Sequence, residues 1–182
     1  MACPLTQGYN LDCRDSLGGI KSVRISTLAD YESLGVTVVD GDITAVTASS
    51  PASQVFWKYE QLKETSSLTE TINASAQNGT VYYSPEVAIV ISKLATAMRN
   101  EIKVLAQNRL VAIVETNDEV PSYFVVGVSN GLDVSAGTSG TGTAYADLQG
   151  YNITMSGMEA APMLKLAPSS ITIDALLTLI TN

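Results

Sequence analysis

Apolar and polar positions alternate along most of this chain, and each alternating run predicts a strand. Ile20, Ser22 and Arg24 share one face of the first run, with Lys21, Val23 and Ile25 on the other, before Leu28. Val36–Val39 and Ile43–Val46 flank Asp40-Gly41, a pair suited to a tight hairpin turn. The stretch from Thr47 to Ser53, TASSPAS, is a loop by composition. Val55, Trp57 and Tyr59 then share a face opposite Phe56, Lys58 and Glu60. A polar KETSS turn (Lys63–Ser67) leads to a run in which Leu68 and Ile72 alternate with Thr69 and Thr71. Together these predict a long two-stranded hairpin over residues 55–75, polar and charged along one face. A second turn at Asn78-Gly79 opens Thr80–Tyr83.

The alternation gives way at Ser84. Ser84 suits a helix cap, Pro85 the first helical position and Glu86 the positive end of the dipole. Val87, Ile91, Leu94, Met98, Ile102 and Leu105 follow at spacings of four and three, which predicts one amphipathic helix from Ser84 to Gln107. Leu110–Glu115 and Tyr123–Val128 read as strands around Asn117-Asp118 and Pro121. Ser129–Gly142 reads as a Gly/Ser/Thr-rich loop and Tyr151–Ser156 as a strand. Pro162 and Pro168 interrupt the next stretch, and Ile173–Ile180 fits a short helix or a strand equally. The fold class is therefore mainly β with one long helix (α+β), an antiparallel β-sandwich or barrel. One domain spans 1–182, with 1–16 as an N-terminal contact arm. A long two-stranded arm beside a single helix suits contact between copies of the same chain.

Charge narrows the chemistry. The chain has 10 Lys and Arg against 18 Asp and Glu, a net charge of −8, and no histidine. Scattered basic residues on an acidic chain exclude a phosphate-binding face. General acid–base catalysis usually recruits His or carboxylates paired in a pocket. The close acidic pairs here, Asp12 with Asp15, Asp40 with Asp42 and Asp118 with Glu119, fall at loops and turns and read as solvated. Asp40-Gly41-Asp42 lacks the spaced oxygens of a calcium loop. Cys3 and Cys13, with neither a CxxC spacing nor a His, make no zinc site and read as reduced thiols. Arg14 beside Cys13 is one cation without a base, too little for a nucleophile. Gly137–Gly142 lacks the Lys-Ser/Thr ending of a phosphate loop and reads as a flexible or subunit-contacting loop. The aromatics Trp57, Tyr59, Tyr82 and Tyr83 read as core or interface packing. No apolar run approaches the ~20 residues that span a bilayer. The chain reads as a non-enzyme with no cofactor, no metal and no membrane partner.

Two stretches carry a family resemblance. The opening CPLTQGYNLDCRDSLGGIKSVRIS resembles the start of virion proteins of tailed bacteriophages. The segment ADLQGYNITMSGMEAAPMLKL is similar to the C-terminal strand region of tail tube proteins. There a strand of the form of Gly150–Gly157 leads into an acidic, proline-containing segment, here Glu159–Pro162. The resemblance implies a sandwich or barrel braced by a helix, assembled in the host cytoplasm into virion tails. Copies would form rings, usually hexameric, stacked into a tube that passes DNA without specific binding. Sheath, tape measure or terminator proteins would be the further partners. On that expectation Lys58, Glu60, Thr69 and Thr71 line the lumen or join subunits, and Leu5, Tyr9 and Leu11 of the arm touch the adjacent ring. A neck, tail-terminator or capsid-accessory protein is the alternative within the virion, and a monomeric ligand-binding β-domain the alternative outside it.

Overall fold

Eleven strands and two helices make up the described residues, 8–9, 16–48 and 56–167, of this computed structural model. In chain order they are β1 (Ile20–Thr27), α1 (Leu28–Glu32), β2 (Leu34–Val39), β3 (Asp42–Ala48), β4 (Trp57–Glu60), β5 (Ser67–Ser75) and β6 (Thr80–Ser92). Then come α2 (Thr96–Leu105), β7 (Leu110–Thr116), β8 (Tyr123–Val126), β9 (Asp133–Gly140), β10 (Gly150–Ser156) and β11 (Leu164–Leu166). The large sheet has seven strands in the order β2-β3-β11-β8-β7-β1-β4, and the small sheet four in the order β5-β6-β10-β9. Both sheets are open, and neither closes into a barrel. Every pairing is antiparallel except β11 with β3.

Burial explains the different sequence textures of the two sheets. Val23, Ile25, Ala112 and Val114 of the large sheet meet Val87, Ile89, Ile153 and Met155 of the small one, and Leu105 of α2 joins this core. A second core covers the other face of the large sheet, with Leu28 and Tyr31 of α1 packed among Ile43, Phe56, Val111, Ile113 and Val125. β7 is thus buried on both faces and reads as a continuous apolar run, LVAIV. The small sheet is covered on one face only, so β6 and β10 alternate.

The hairpin at Asp40-Gly41 forms as expected, both residues holding the positive φ that a two-residue turn requires, 52° and 87°. Strands also form where expected at Ile20, Leu110, Tyr123 and Tyr151. Four expectations are corrected. Ser84–Ser92 is the second half of strand β6, and only Thr96–Leu105 is helical, so the long helix shrinks to ten residues. The β-branched run Val87–Ile91 decides this, because Val87 and Ile89 alternate into the core with Ala88 and Val90 facing away. Pro85 is no helix start; it pairs opposite Glu70, and its carbonyl accepts from the Gly157 N–H at 3.1 Å.

The hairpin over 55–75 is also corrected. β4 pairs β1 in the large sheet, whereas β5 pairs β6 in the small sheet. Residues 61–66 turn a corner between the sheets, held by Gln61, whose Oε1 accepts from Ser66 Oγ at 2.6 Å and from the Val90 N–H at 3.0 Å. Two alternating runs around a polar turn look the same in sequence whether the chain turns back or crosses over. Ser129–Gly142 is no simple loop, because Asp133–Gly140 pairs along β10 as β9. A barrel, finally, is replaced by two open sheets. Cys3, Leu5, Leu11, Asp12, Cys13, Asp15, Val55 and Ile173–Ile180 lie outside the described residues, as does most of the expected 1–16 arm and of the loop after Ala48.

Candidate assembly surface

The hairpin that does form is β5–β6, paired from Ser67↔Ala88 to Ser75↔Thr80 around a turn that ends at Gly79. Its lower half is part of the small sheet, since β10 pairs β6 from Ser92 to Glu86. The segment after β10 then continues along β6 as a strap. The Gly157 N–H bonds Pro85, and Tyr83 and Glu159 exchange backbone hydrogen bonds at 2.9 and 2.8 Å. The buried Glu159 carboxylate accepts from the Ser129 and Asn130 N–H groups, both at 3.1 Å. The strap ends where the Met163 N–H donates to Glu70 Oε1 of β5 at 2.7 Å. This is the work of the acidic, proline-containing stretch Glu159–Pro162.

Past the strap, among the described residues, the tip of the hairpin pairs only with itself. Its core-side face continues the pattern of Leu68 and Val87 outward into Ile72, Ala74 and Val81. With no second sheet beneath them, Ile72 is 66% exposed and Val81 56%. Met158 of the strap, 66% exposed, extends the same apolar patch. An isolated two-stranded ribbon is marginal in water, and this one leaves its apolar side chains uncovered. Its residues from Thr71 to Ser84 include no charge, in a chain of net charge −8.

A second uncovered apolar surface lies at the other end of β6. Trp57–Leu62, Val90–Ser92, Ala97, Met98 and Glu101 line a groove of about 610 Å³ between the β4 edge and α2. Trp57 and Leu62 are 54% and 53% exposed there. On its floor, burial and then the neighbouring Glu101 carboxylate push Tyr59 up to about 12, so its hydroxyl stays protonated. The groove's other charges, Lys58 and Glu60, pair with each other at 2.9 Å.

The chain matches no family model, no curated protein and no solved structure.

Electrostatics separate the two sheets. On the large sheet Arg24 Nη1 lies 3.1 Å from Glu115 Oε2, which also accepts from Ser22 Oγ at 2.7 Å, while Lys21 Nζ reaches Oε1 at 2.9 Å. Burial pushes the Glu115 carboxyl up, but the Ser22 and Lys21 hydrogen bonds and the Arg24 charge outweigh it and hold the group below its ordinary value. Arg24 stacks over Tyr123 at 5.6 Å, and its buried Nε has no hydrogen-bond partner among the described residues. The small sheet has no such cluster. None of the chain's 10 basic residues lies in β5, β6, β9 or β10. On its uncovered face stand Thr69, Thr71, Ser84, Asn152 and Thr154, with Glu86 and Asp133 as charges. Among the described residues no three His, Cys, Asp or Glu side chains gather as metal ligands would.

The structure therefore divides the expected lumen residues. Thr69 and Thr71 stand on the bare face of the small sheet, while Lys58 and Glu60 sit on the free edge of the large one. Tyr9 is exposed; its expected companions Leu5 and Leu11 lie outside the described residues. Trp57 and Tyr82 are exposed and Tyr59 and Tyr83 half-buried, Tyr59 against the core between the sheets. Sequence reasoning missed Glu115 and Glu159, whose partners are distant in the chain. It also missed β9, whose DVSAGTSG has no apolar period to read.

Proposed function

We propose that this chain is a tail tube protein of a tailed bacteriophage, a structural conduit that works by self-assembly and without catalysis. The observation that carries the reading is the small sheet. Among the described residues it has four strands, two open edges, one bare face and no basic residue. Its outer strands run in opposite directions, since β5 and β10 are each antiparallel to the strand beside them through to β9. Copies rotated about an axis along the strands would set β5 of one antiparallel to β9 of the next. The alternation would continue unbroken around a ring, and the edges would be satisfied by closure. The two edges suit that use, because β9 carries no charge after Asp133 and β5 only Glu70, which faces inward to Met163.

In such a ring the uncovered face lines the lumen. A surface of Thr, Ser and Asn with Glu86 and Asp133 offers DNA no cation to exchange for its condensed counterions, so the duplex would slide instead of sticking. A lumen lined by Lys and Arg would contradict the reading. Rings, stacking, and sheath, tape measure or terminator partners all belong to this proposal, as does a place in the virion tail.

Negative-stain microscopy of the purified full chain at high concentration tests it. Hollow tubes of regular repeat are expected. A monodisperse monomer that stays so at high concentration would overturn the proposal. Single rings that never stack would move the chain to the neck or tail-terminator position.

A further inference from the structure

We infer that the apolar overhang of the β5–β6 hairpin on one copy docks into the groove between β4 and α2 on a copy in the next ring. The inference rests on the self-assembly reading above and names the surfaces that stack one ring on another. Four observations converge on it. First, two uncovered apolar features sit at opposite ends of one strand. Val81 lies in the overhang and Ile91 in the groove wall, ten residues along β6 and so roughly 33 Å apart at ~3.3 Å per residue. A projection at one end and a recess at the other make a head-to-tail contact, which propagates without closing.

Second, both surfaces are apolar where they would meet. Ile72, Val81 and Met158 project on one, and Trp57, Leu62 and Met98 line the other. Third, charge favours this occupant over a foreign one. Two chains of net charge −8 repel, and the overhang is an uncharged stretch that one copy can offer another. Lys58 and Glu60 of the groove lining neutralise each other, so a neutral insert leaves neither to be compensated. A basic peptide, the other candidate, would meet Lys58 and find Glu60 already paired. Fourth, the strap fixes the aim. The Tyr83–Glu159 backbone pair and the Glu70–Met163 bond hold the base of the hairpin, so the tip is presented and not left to fold back.

The chain's single tryptophan, Trp57, sits in the groove, so its fluorescence reports occupancy directly. Polymerising wild-type chain should shift its emission to the blue and lose most of its quenching by acrylamide. Ile72→Asp and Leu62→Asp change exposed side chains only, and circular dichroism should show both folded. Each should arrest assembly at single rings with Trp57 still quenchable. Ile72→Asp combined with Leu62→Lys should restore tubes, because every head-to-tail contact would then hold one opposite-charge pair. A wild-type chain that stays monomeric overturns the self-assembly reading and this inference together. Wild-type tubes in which Trp57 remains fully quenchable, or Ile72→Asp tubes of normal length, overturn this inference alone. Shielding of Trp57 in unstacked rings also overturns it, since the groove would then be filled from within the ring.

Discussion

The large and small sheets share one core and differ in almost everything else. The large sheet is buried on both faces and pairs most of its charges, Arg24 and Lys21 with Glu115, Lys58 with Glu60. The small sheet is buried on one face and keeps basic residues out altogether. One free edge of the large sheet, β4, thus carries an ion pair, whereas its other edge, β2, and both edges of the small sheet are nearly neutral. The contrast teaches that exposure alone does not mark a joining surface. On the self-assembly reading, an edge that carries charge resists pairing and a neutral one accepts a neighbour.

The sharpest way to break the comparison is to unpair the large sheet's charges. Glu115→Ala would leave the buried Arg24 guanidinium without its carboxylate, with Nε already lacking a partner. Breaking a buried pair from one side costs about 3–5 kcal/mol. Urea unfolding should show a loss of that order, large against the total stability of a domain. Replacing both partners, Arg24→Met with Glu115→Leu, should recover most of it, since the desolvation cost of both ions disappears. A Glu115→Ala loss below about 1 kcal/mol would show that the pair is effectively solvated.

A smaller effect follows from pH. The Glu115 carboxyl lies below its ordinary value of 4.5 in the folded chain, so on acidification the unfolded chain takes up this proton first. Its contribution is therefore fully present above pH 4.5 and lost as pH falls through the folded value. Unfolding free energies measured from neutral pH into the acid range should decline for wild type. The decline should be shallower for the Arg24→Met, Glu115→Leu chain. Equal slopes would remove Glu115 from the acid sensitivity.

How much of this was legible from sequence depends on the range of the interaction that decides each element. Local rules placed β1, the Asp40-Gly41 hairpin, β7, β8 and β10, because burial pattern and turn chemistry lie within a few residues. They failed at Ser84–Ser92, where a stripe at helical spacing coexists with strict alternation and the pairing with β10 decides between them. They failed again at residues 61–66, because a corner and a hairpin turn use the same polar residues. The long hairpin expected over 55–75 forms one strand later, as β5–β6. The polar Thr69 and Thr71 face was read correctly as wet, but its partnership with Lys58 and Glu60 was not, since those belong to the other sheet. Glu115 and Glu159 were invisible, as nothing near either in the chain announces a bond to Ser22 or Ser129.

The smallest change in stability should bring the most direct test of the guarded edge. The Gln61 N–H bonds the Lys21 carbonyl at 3.1 Å, so in the β1–β4 register Tyr59 and Trp57 also turn their backbone groups toward β1. The backbone of Lys58 and Glu60 therefore points to the open edge, and their paired side chains stand beside it. Lys58→Val with Glu60→Val would keep the strand's fold and pairing while removing the charges, leaving Trp-Val-Tyr-Val on a free edge. Stability should barely move, because an exposed pair contributes little and Val favours a strand. Association should change instead: irregular aggregates should appear in light scattering at concentrations where the wild type gives none. If the double variant scatters no more than wild type, the ion pair does not guard the edge. Its neighbours Trp57 and Leu62 would then have to do so, by already being covered in the assembly.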